Sequence, residues 1–292
     1  MTSARTLRQL LQGPGAIRGL GAHDVFSARL IEAAGLETVF LGGFSTAASL
    51  LGMPDVGFLT LTEMAEAIRR MVHCVHIPVI ADGDTGHGDL HHVMRTVREF
   101  ERAGAAGILL EDQVSPKRCG HVPGKKVIPA EEMVLKLRAA LDARRDPDFI
   151  LIARTDARAV EGMDAALLRA NLYGNTGADV VFVDAPVSRQ ELERIPREVK
   201  YPHMSVMLVG GVTPILSVDE LAQLGYKYIV FPIESLLVAG AGMQRLIQAL
   251  LTKGRLDQAD TELMTFGQIK HVLEMEKVLS LRERLAERHG VD

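Results

Sequence analysis

One thiol stands in the segment Ser115-Pro116-Lys117-Arg118-Cys119-Gly120-His121-Val122-Pro123-Gly124-Lys125-Lys126, flanked by Lys117, Arg118 and His121. Electropositive surroundings favour the thiolate, so Cys119 is placed to act as an acid, a base or a nucleophile. The glycines of the segment would let it move as a lid. A basic surface loop with an incidental cysteine meets the same composition. Cys74, by contrast, lies in an apolar helical stretch and reads as core.

A second group of residues is acidic: Asp55 in Leu51-Gly-Met-Pro-Asp55, Asp82 and Asp84 in Asp82-Gly-Asp84-Thr-Gly-His87-Gly, Glu111-Asp112-Gln113, Asp156 in Arg154-Thr155-Asp156, and Asp184. Several carboxylates in one cleft raise each other's pKa unless a cation neutralises them. They are hard oxygen ligands with no His/Cys pairing at zinc spacing, which points to a partly hydrated Mg²⁺ or Mn²⁺. The competing reading has these acids capping helices or pairing with Arg154 and Lys117. Among the histidines only His87 stays a candidate; His73, His76, His91, His92, His203, His271 and His289 read as structural or exposed.

These residues need a frame that brings them together. Short apolar runs recur at Ala16–His23, Thr38–Gly43, Pro78–Asp84, Gly107–Asp112, Phe149–Asp156, Val180–Ala185, Ser205–Gly211 and Tyr226–Ile233. None alternates as a half-exposed sheet does, so each reads as a strand buried on both faces. Helical spacing fills Met64–Cys74, Leu90–Arg102, Glu131–Ala143 and Ala165–Tyr173, which implies parallel pairing through right-handed crossovers. Gly35, Gly104, Gly177 and Gly225 stand where helices end. Thr60…Glu63, Ser188…Glu191 and Ser217…Glu220 are capping-box patterns. The expected fold is a (β/α)₈ barrel, with a doubly wound sheet as the alternative. In such a barrel the strand C-termini form one mouth, and the acids and the cysteine loop lie there. Residues 1–292 read as one domain, with 234–292 a helical arm within it. Met264–Leu285 has helical spacing and is more helix than the eighth unit needs. It serves either as a packing helix on the barrel wall or as an arm docked on a neighbouring subunit.

The 292 residues are 47% hydrophobic and 24% charged, with net charge −4 and no Lys/Arg block. That composition excludes disorder as the main character and argues against nucleic acid or an anionic membrane as partner. No apolar run reaches the roughly 18 residues of a membrane span. Two cysteines suit a reducing, cytoplasmic setting. Residues 1–23 carry Arg5, Arg8 and Arg18 and no acid. An amphipathic helix around Thr6–Leu11 is expected there rather than a transit peptide.

Lys117-Arg118-Cys119-Gly120-His121 is the KRCGH form of the lyase signature of the isocitrate lyase/phosphoenolpyruvate mutase superfamily. The Leu-Gly-Met-Pro-Asp55 loop, the Asp82–Gly88 turn, Leu110-Glu111-Asp112-Gln113 and Ala153-Arg154-Thr155-Asp156-Ala157 match it in the same order. The chain resembles that superfamily from about residue 5 to the C-terminal helix, on the side of the short 2-methylisocitrate, 2,3-dimethylmalate, oxaloacetate-hydrolase and petal-death types. The resemblance implies a barrel with its last helix swapped between subunits, a homotetramer built as a dimer of dimers, and Mg²⁺ at the mouth. By motif position, Asp84 would be the direct ligand, and Asp55, Asp82 and Glu111 would hold metal-bound waters. Arg154 would bind the 2-oxo-acid part of a small carboxylate substrate. Backbone N–H groups of Gly43 and Phe44 would cradle its carboxylate, as a nest does. Phe40, Gly42, Gly120, His121 and Asp184 would complete the substrate site, and Lys117 and His121 would join Cys119 in catalysis. The implied reaction is cleavage of a 2-hydroxy di- or tricarboxylate between C2 and C3, with Cys119 protonating the carbon of the second fragment.

The chain departs from the methylisocitrate pattern in four places. Gly42-Gly43-Phe44-Ser45 stands where a Ser-Gly-Gly is usual, and Val206-Met-Leu-Val209-Gly210-Gly211 replaces a segment bearing Asn and Glu. Asp184 stands for a Glu, and Leu109 for a His. Loss of groups for a distal carboxylate favours an alkyl-malate-like substrate. Phosphonomutase-type phosphorus–carbon chemistry, oxaloacetate hydrolysis or decarboxylation, and a non-catalytic relative are the alternatives.

Overall fold

The computed structural model describes residues 2–120, 122–257, 259 and 262–290. The chain divides into two compact units, Met1–Leu236 and Leu237–Asp292.

In the first unit eight parallel strands close into a barrel in sequence order. They are β1 (Ile17–Gly21), β2 (Thr38–Leu41), β3 (Val79–Asp82), β4 (Gly107–Glu111), β5 (Ile150–Thr155), β6 (Val180–Val183), β7 (His203–Val206) and β8 (Tyr228–Phe231). The closed order corrects the doubly wound alternative, since β1 pairs with β8 and no edge remains. Phe40, Ile80, Leu109, Ile152, Phe182, Met204 and Tyr228 fill the interior as one cluster. Each such buried side chain contributes roughly 1.5–3 kcal/mol of hydrophobic stabilisation. A helix over Ser3–Gln12 bears out the amphipathic reading of the N-terminal segment, and its buried Leu7 belongs to the interior cluster. Arg8 ties this helix to Asp179 (2.9 Å) and Asp148 (3.3 Å).

The helix ends obey the sequence signals with one exception. Gly35, Gly104, Gly177 and Gly225 all adopt left-handed φ, between 79° and 114°. Thr60/Glu63 and Ser217/Glu220 form complete capping boxes. At Ser188 only half the box is present: Ser188 accepts from the Glu191 N–H, but the Glu191 carboxylate is drawn to Arg158 and to the Val187 N–H. A charged partner outbids the cap.

β7 differs from the expected Ser205–Gly211. It starts at His203, where register with Val181 of β6 sets it, and stops at Val206. Val209 beyond it is 59% exposed, and Gly210 turns the chain at φ 82°. After β2 the chain makes a short helix (Gly43–Thr46) and a π-helical turn (Ala47–Leu51) before the segment carrying Asp55.

A 20-residue helix, Glu234–Lys253, begins at the end of the first unit. In the second unit the expected continuous helix over Met264–Leu285 is three short ones: Phe266–Val272, Met275–Leu279 and Leu281–His289. The first break is at Glu274, whose φ is 52°. No described helix is long and apolar enough to cross a membrane.

Candidate active site

The strand ends hold the acids in fixed relation because ladder bonds continue past the strands themselves. Gly83 N–H donates to Leu109 O (2.8 Å), Glu111 N–H to Asp84 O (3.0 Å) and Asp184 N–H to Thr155 O (3.0 Å). Glu111 and Arg154 are register partners at the ends of β4 and β5. Over these ends lies a cavity of about 90 Å³, lined by Phe40, Gly42, Gly43, Phe44, Asp55, Asp82, Lys117, Cys119, Gly120, Arg154 and Asp184 among others. That is far below the roughly 300 Å³ at which drug-sized pockets begin, and scaled to a compact acid. The structure thus brings together the sequence-identified residues, with Asp84 and Glu111 joined through Lys117 and Arg154. His121 lies outside the described residues.

Lys117 reaches from the cysteine loop to Asp55 (2.6 Å) and Asp84 (2.8 Å). Burial opposes its charge, yet Asp84, Asp82, Glu111 and Asp55 outweigh that and hold the ammonium strongly protonated. Burial, reinforced by Asp82 and Asp55 and only partly offset by Lys117, pushes Asp84 up to about 7. Burial also raises Glu111 well above the carboxylate range, against the pull of Arg154. Both Glu111 side-chain oxygens are buried with no hydrogen bond among the described residues.

Arg154 is gripped along its Nε–Nη2 edge by both oxygens of Asp156, each at 2.9 Å. It also stands 3.4 Å from Glu111 and 3.3 Å from Asp184, and over the Phe182 ring at 5.6 Å. Burial alone would raise Asp156, but Arg154 and Lys125 hold it well below the usual range. Behind it Asp112 accepts from the Asp156 N–H (2.9 Å), Thr155 Oγ1 (2.7 Å), Tyr173 OH (2.8 Å) and Arg169 Nη1 (3.2 Å). The reading of the acids as partners of Arg154 and Lys117 is therefore realised in part, without dispersing the cluster.

Three details bear on the departures and assignments read from the sequence. Gly43 N–H, assigned by resemblance to a substrate carboxylate, donates here to Asp82 Oδ2 at 3.2 Å. Ser45 is fully buried, does not line the cavity, and donates its hydroxyl to Pro232 O (3.3 Å). Of the two valines replacing polar residues, Val206 lines the cavity, whereas Val209 is exposed. Sequence reasoning left Gln113 and Lys125 without a role and counted Asp156 only as one of the acids. Gln113 adjoins residues already singled out; nothing in a loop with four cations marks Lys125, together with Lys117, as buried.

The donors suit a hard cation. A Cβ on Gly43 would lie 3.1–3.3 Å from Lys117 Nζ, Asp55 Oδ1 and Asp84 Oδ1, so the cradle depends on that position having no side chain. No three His, Cys, Asp or Glu side chains among the described residues converge closely enough to ligate an ion together. One direct carboxylate with others reached through water is how Mg²⁺, reluctant to dehydrate, is usually held. Strain gathers here too: Asp84, His87 and Ala185 adopt left-handed φ of 48°, 57° and 55°.

The family model described as phosphoenolpyruvate phosphomutase matches residues 7–251. The 2,3-dimethylmalate lyase of Eubacterium barkeri is 41% identical over 98% of this chain and 99% of its own. Among solved structures, oxaloacetate acetylhydrolase in complex with 3,3-difluorooxalacetate superposes with a TM-score of 0.92 at 30% identity, covering 98% of this chain and 97% of that one. A phosphonopyruvate hydrolase complex with oxalate and Mg²⁺ superposes with a TM-score of 0.87 at 27% identity, with both chains fully covered. The barrel, the acids at its mouth and these similarities agree: the chain belongs to the phosphoenolpyruvate mutase/isocitrate lyase superfamily, as a carbon–carbon lyase type of enzyme.

Proposed function

We propose that this enzyme cleaves an alkyl-substituted 2-hydroxydicarboxylate of the 2,3-dimethylmalate type between C2 and C3, with Mg²⁺ as cofactor. The observation that carries this reading is the mixed lining of the cavity. Beside Lys117, Cys119, Arg154 and Asp184 it holds the apolar Phe182, Val206, Leu208, Pro232 and Ile233, which offer methyl groups a surface and a third carboxylate none. The similarity to 2,3-dimethylmalate lyase supports the same choice.

In this reading Asp84 holds the ion directly, with Asp55, Asp82 and Glu111 serving its water shell. When bound, the ion supplies Lewis-acid stabilisation of charge on the 2-oxo-acid half. Arg154, oriented by Asp156, binds the carboxylate of that half. A base takes the C2 hydroxyl proton, the C2–C3 pair moves onto C3, and C2 becomes the carbonyl carbon of the 2-oxo acid. Cys119 then gives its thiol proton to C3, completing a saturated carboxylate. A substrate filling the small cavity would displace water from around C3 while it carries the charge.

We also propose a homotetramer, a dimer of dimers exchanging its C-terminal helices, with 1–292 a single domain and 234–292 its arm. Apolar exposure in that region supports it: Val238, Leu251, Phe266 and Leu279 are each at least 66% exposed. Light scattering should give four times the 31.8 kDa chain mass. Two cysteines support a cytoplasmic setting.

The test is product analysis by mass spectrometry with Mg²⁺, offering 2,3-dimethylmalate, 2-methylisocitrate, oxaloacetate and phosphonopyruvate. Pyruvate and propionate from 2,3-dimethylmalate, lost on chelation and cut at least about 100-fold in Cys119→Ala, are expected. Oxalate and acetate from oxaloacetate, or turnover of phosphonopyruvate alone, would replace this reading.

A further inference from the structure

Cys119 sits between two residues whose backbones are held by buried side chains. Before it, the Gln113 amide pairs with the Arg118 peptide group at both ends: Nε2 donates to Arg118 O (2.9 Å), and Arg118 N–H donates to Oε1 (3.0 Å). After it, the Lys125 ammonium donates to Gly120 O, to Asp156 Oδ1 (2.8 Å) and to Asp184 Oδ2 (3.2 Å). An ammonium has three donors, and here all three have acceptors. Gln113 is 1% exposed and the Lys125 side chain 2%.

The contacts that anchor these two residues are independent of the loop tip. Gln113 pairs with Val127 in an isolated antiparallel bridge, and Val114 N–H donates to Lys126 O at 2.8 Å, which closes the loop at its neck. Lys125 is fixed by Asp156, the residue that also orients Arg154. Gly120 lets the loop backbone settle onto that ion cluster: a Cβ there would stand 2.1 Å from Asp184 Oδ2 and 2.6 Å from Arg154 Nη2.

We propose that Gln113 and Lys125 are positioning residues for Cys119, a two-sided backbone clamp that fixes the thiol relative to Arg154 and therefore to the carbon it protonates. The clamp rests on the reading of Cys119 as proton donor. Its energetic logic is that of pre-organisation: a misplacement of about 1 Å in a reacting group costs on the order of 100-fold in rate. Lys125 joins the two tasks through Asp156, so the thiol and the carboxylate-binding guanidinium are registered to one side chain.

The test uses Lys125→Met and Gln113→Ala in the full chain, reading alkylation of Cys119 and Cys74 separately by peptide mass spectrometry. Cys74, half-buried at the end of the Leu61–Val72 helix, is the internal control for general loosening. A clamp predicts that iodoacetamide labels Cys119 about 10-fold faster in either variant, reflecting local opening, with Cys74 unchanged. It also predicts kcat lower by about 30–100-fold while KM moves less than about threefold. Unchanged labelling at Cys119, or a parallel rise at Cys74, overturns it. Gln113→Ala removes no charge and keeps the question answerable should Lys125→Met fail to fold. Full turnover in Cys119→Ala would sink the proton-donor reading, while the labelling contrast would still decide whether the clamp exists.

Discussion

The two halves of the barrel mouth are built from the same residue types to opposite effect. Around the ends of β2 and β3, three carboxylates, Asp55, Asp82 and Asp84, share one cation, Lys117. Around the ends of β5 and β6, two carboxylates, Asp156 and Asp184, share two, Arg154 and Lys125, with Glu111 of β4 on the border between the halves, 3.4 Å from Arg154. The first half leaves Asp84 pushed up to about 7; the second drives Asp156 down. A buried ion cluster that is balanced is already satisfied and rigid, whereas one with surplus negative charge is satisfied only by a cation from outside. In the proposed function the imbalanced half is the one that would take Mg²⁺, and the balanced half the one that would hold a substrate carboxylate without moving.

Asp156→Asn attacks the balanced half and should have the largest effect. It strips Arg154 and Lys125 of a shared partner in a buried setting, which costs about 3–5 kcal/mol. Thermal melting should show that loss, and turnover should fall below detection.

Asp84→Asn attacks the unbalanced half and should separate function from stability. Mg²⁺ affinity, measured by calorimetry, should fall by more than the roughly 10–100-fold typical of outer partners. The metal-free melting temperature at pH 8 should hold or rise, since the variant removes a carboxylate that is costly to ionise there. A loss like that of Asp156→Asn would erase the distinction between the halves.

A smaller effect follows from pH. With Asp84 at about 7 in the folded metal-free chain and 3.8 ordinarily, the folded state keeps a proton that the unfolded state has lost between those values. Stability of the metal-free protein should therefore decline as pH rises from about 4 to about 7 and level off above, the opposite sign to an acid such as Asp156 whose pKa is lowered on folding. Saturating Mg²⁺ should reverse the trend, because binding needs the ionised form. Ser217→Ala, at a helix cap away from both halves, should cost about 1 kcal/mol and leave turnover unchanged, setting the scale for losses unrelated to the mouth.

Much of this was legible in the chain. Apolar runs located eight strands because strands covered by helices need apolar residues on both faces, and glycines marked helix ends because only they take left-handed φ cheaply. β7 was misplaced because Val206–Val209 continues an apolar pattern past the point where pairing stops, while His203, polar by type, is carried into the sheet by its neighbour's register. The break at Glu274 lacked any sign, having neither glycine nor proline. Acids and cysteine loop could be assigned to one mouth, but not divided into its two halves. That division depends on which of Lys117, Arg118, Lys125 and Lys126 turns inward, a choice made by partners more than thirty residues away along the chain.

The left-handed residues at the mouth carry a different consequence. Aspartate and histidine tolerate that backbone region, so Asp84 and His87 sit there at modest cost; alanine does not, and Ala185 gives up about 1 kcal/mol that glycine would return. Part of the scaffold's unused thermal reserve is thus stored beside its chemistry. A lineage driven toward heat tolerance would find one gain next to Asp184, where the ion cluster limits what it can change.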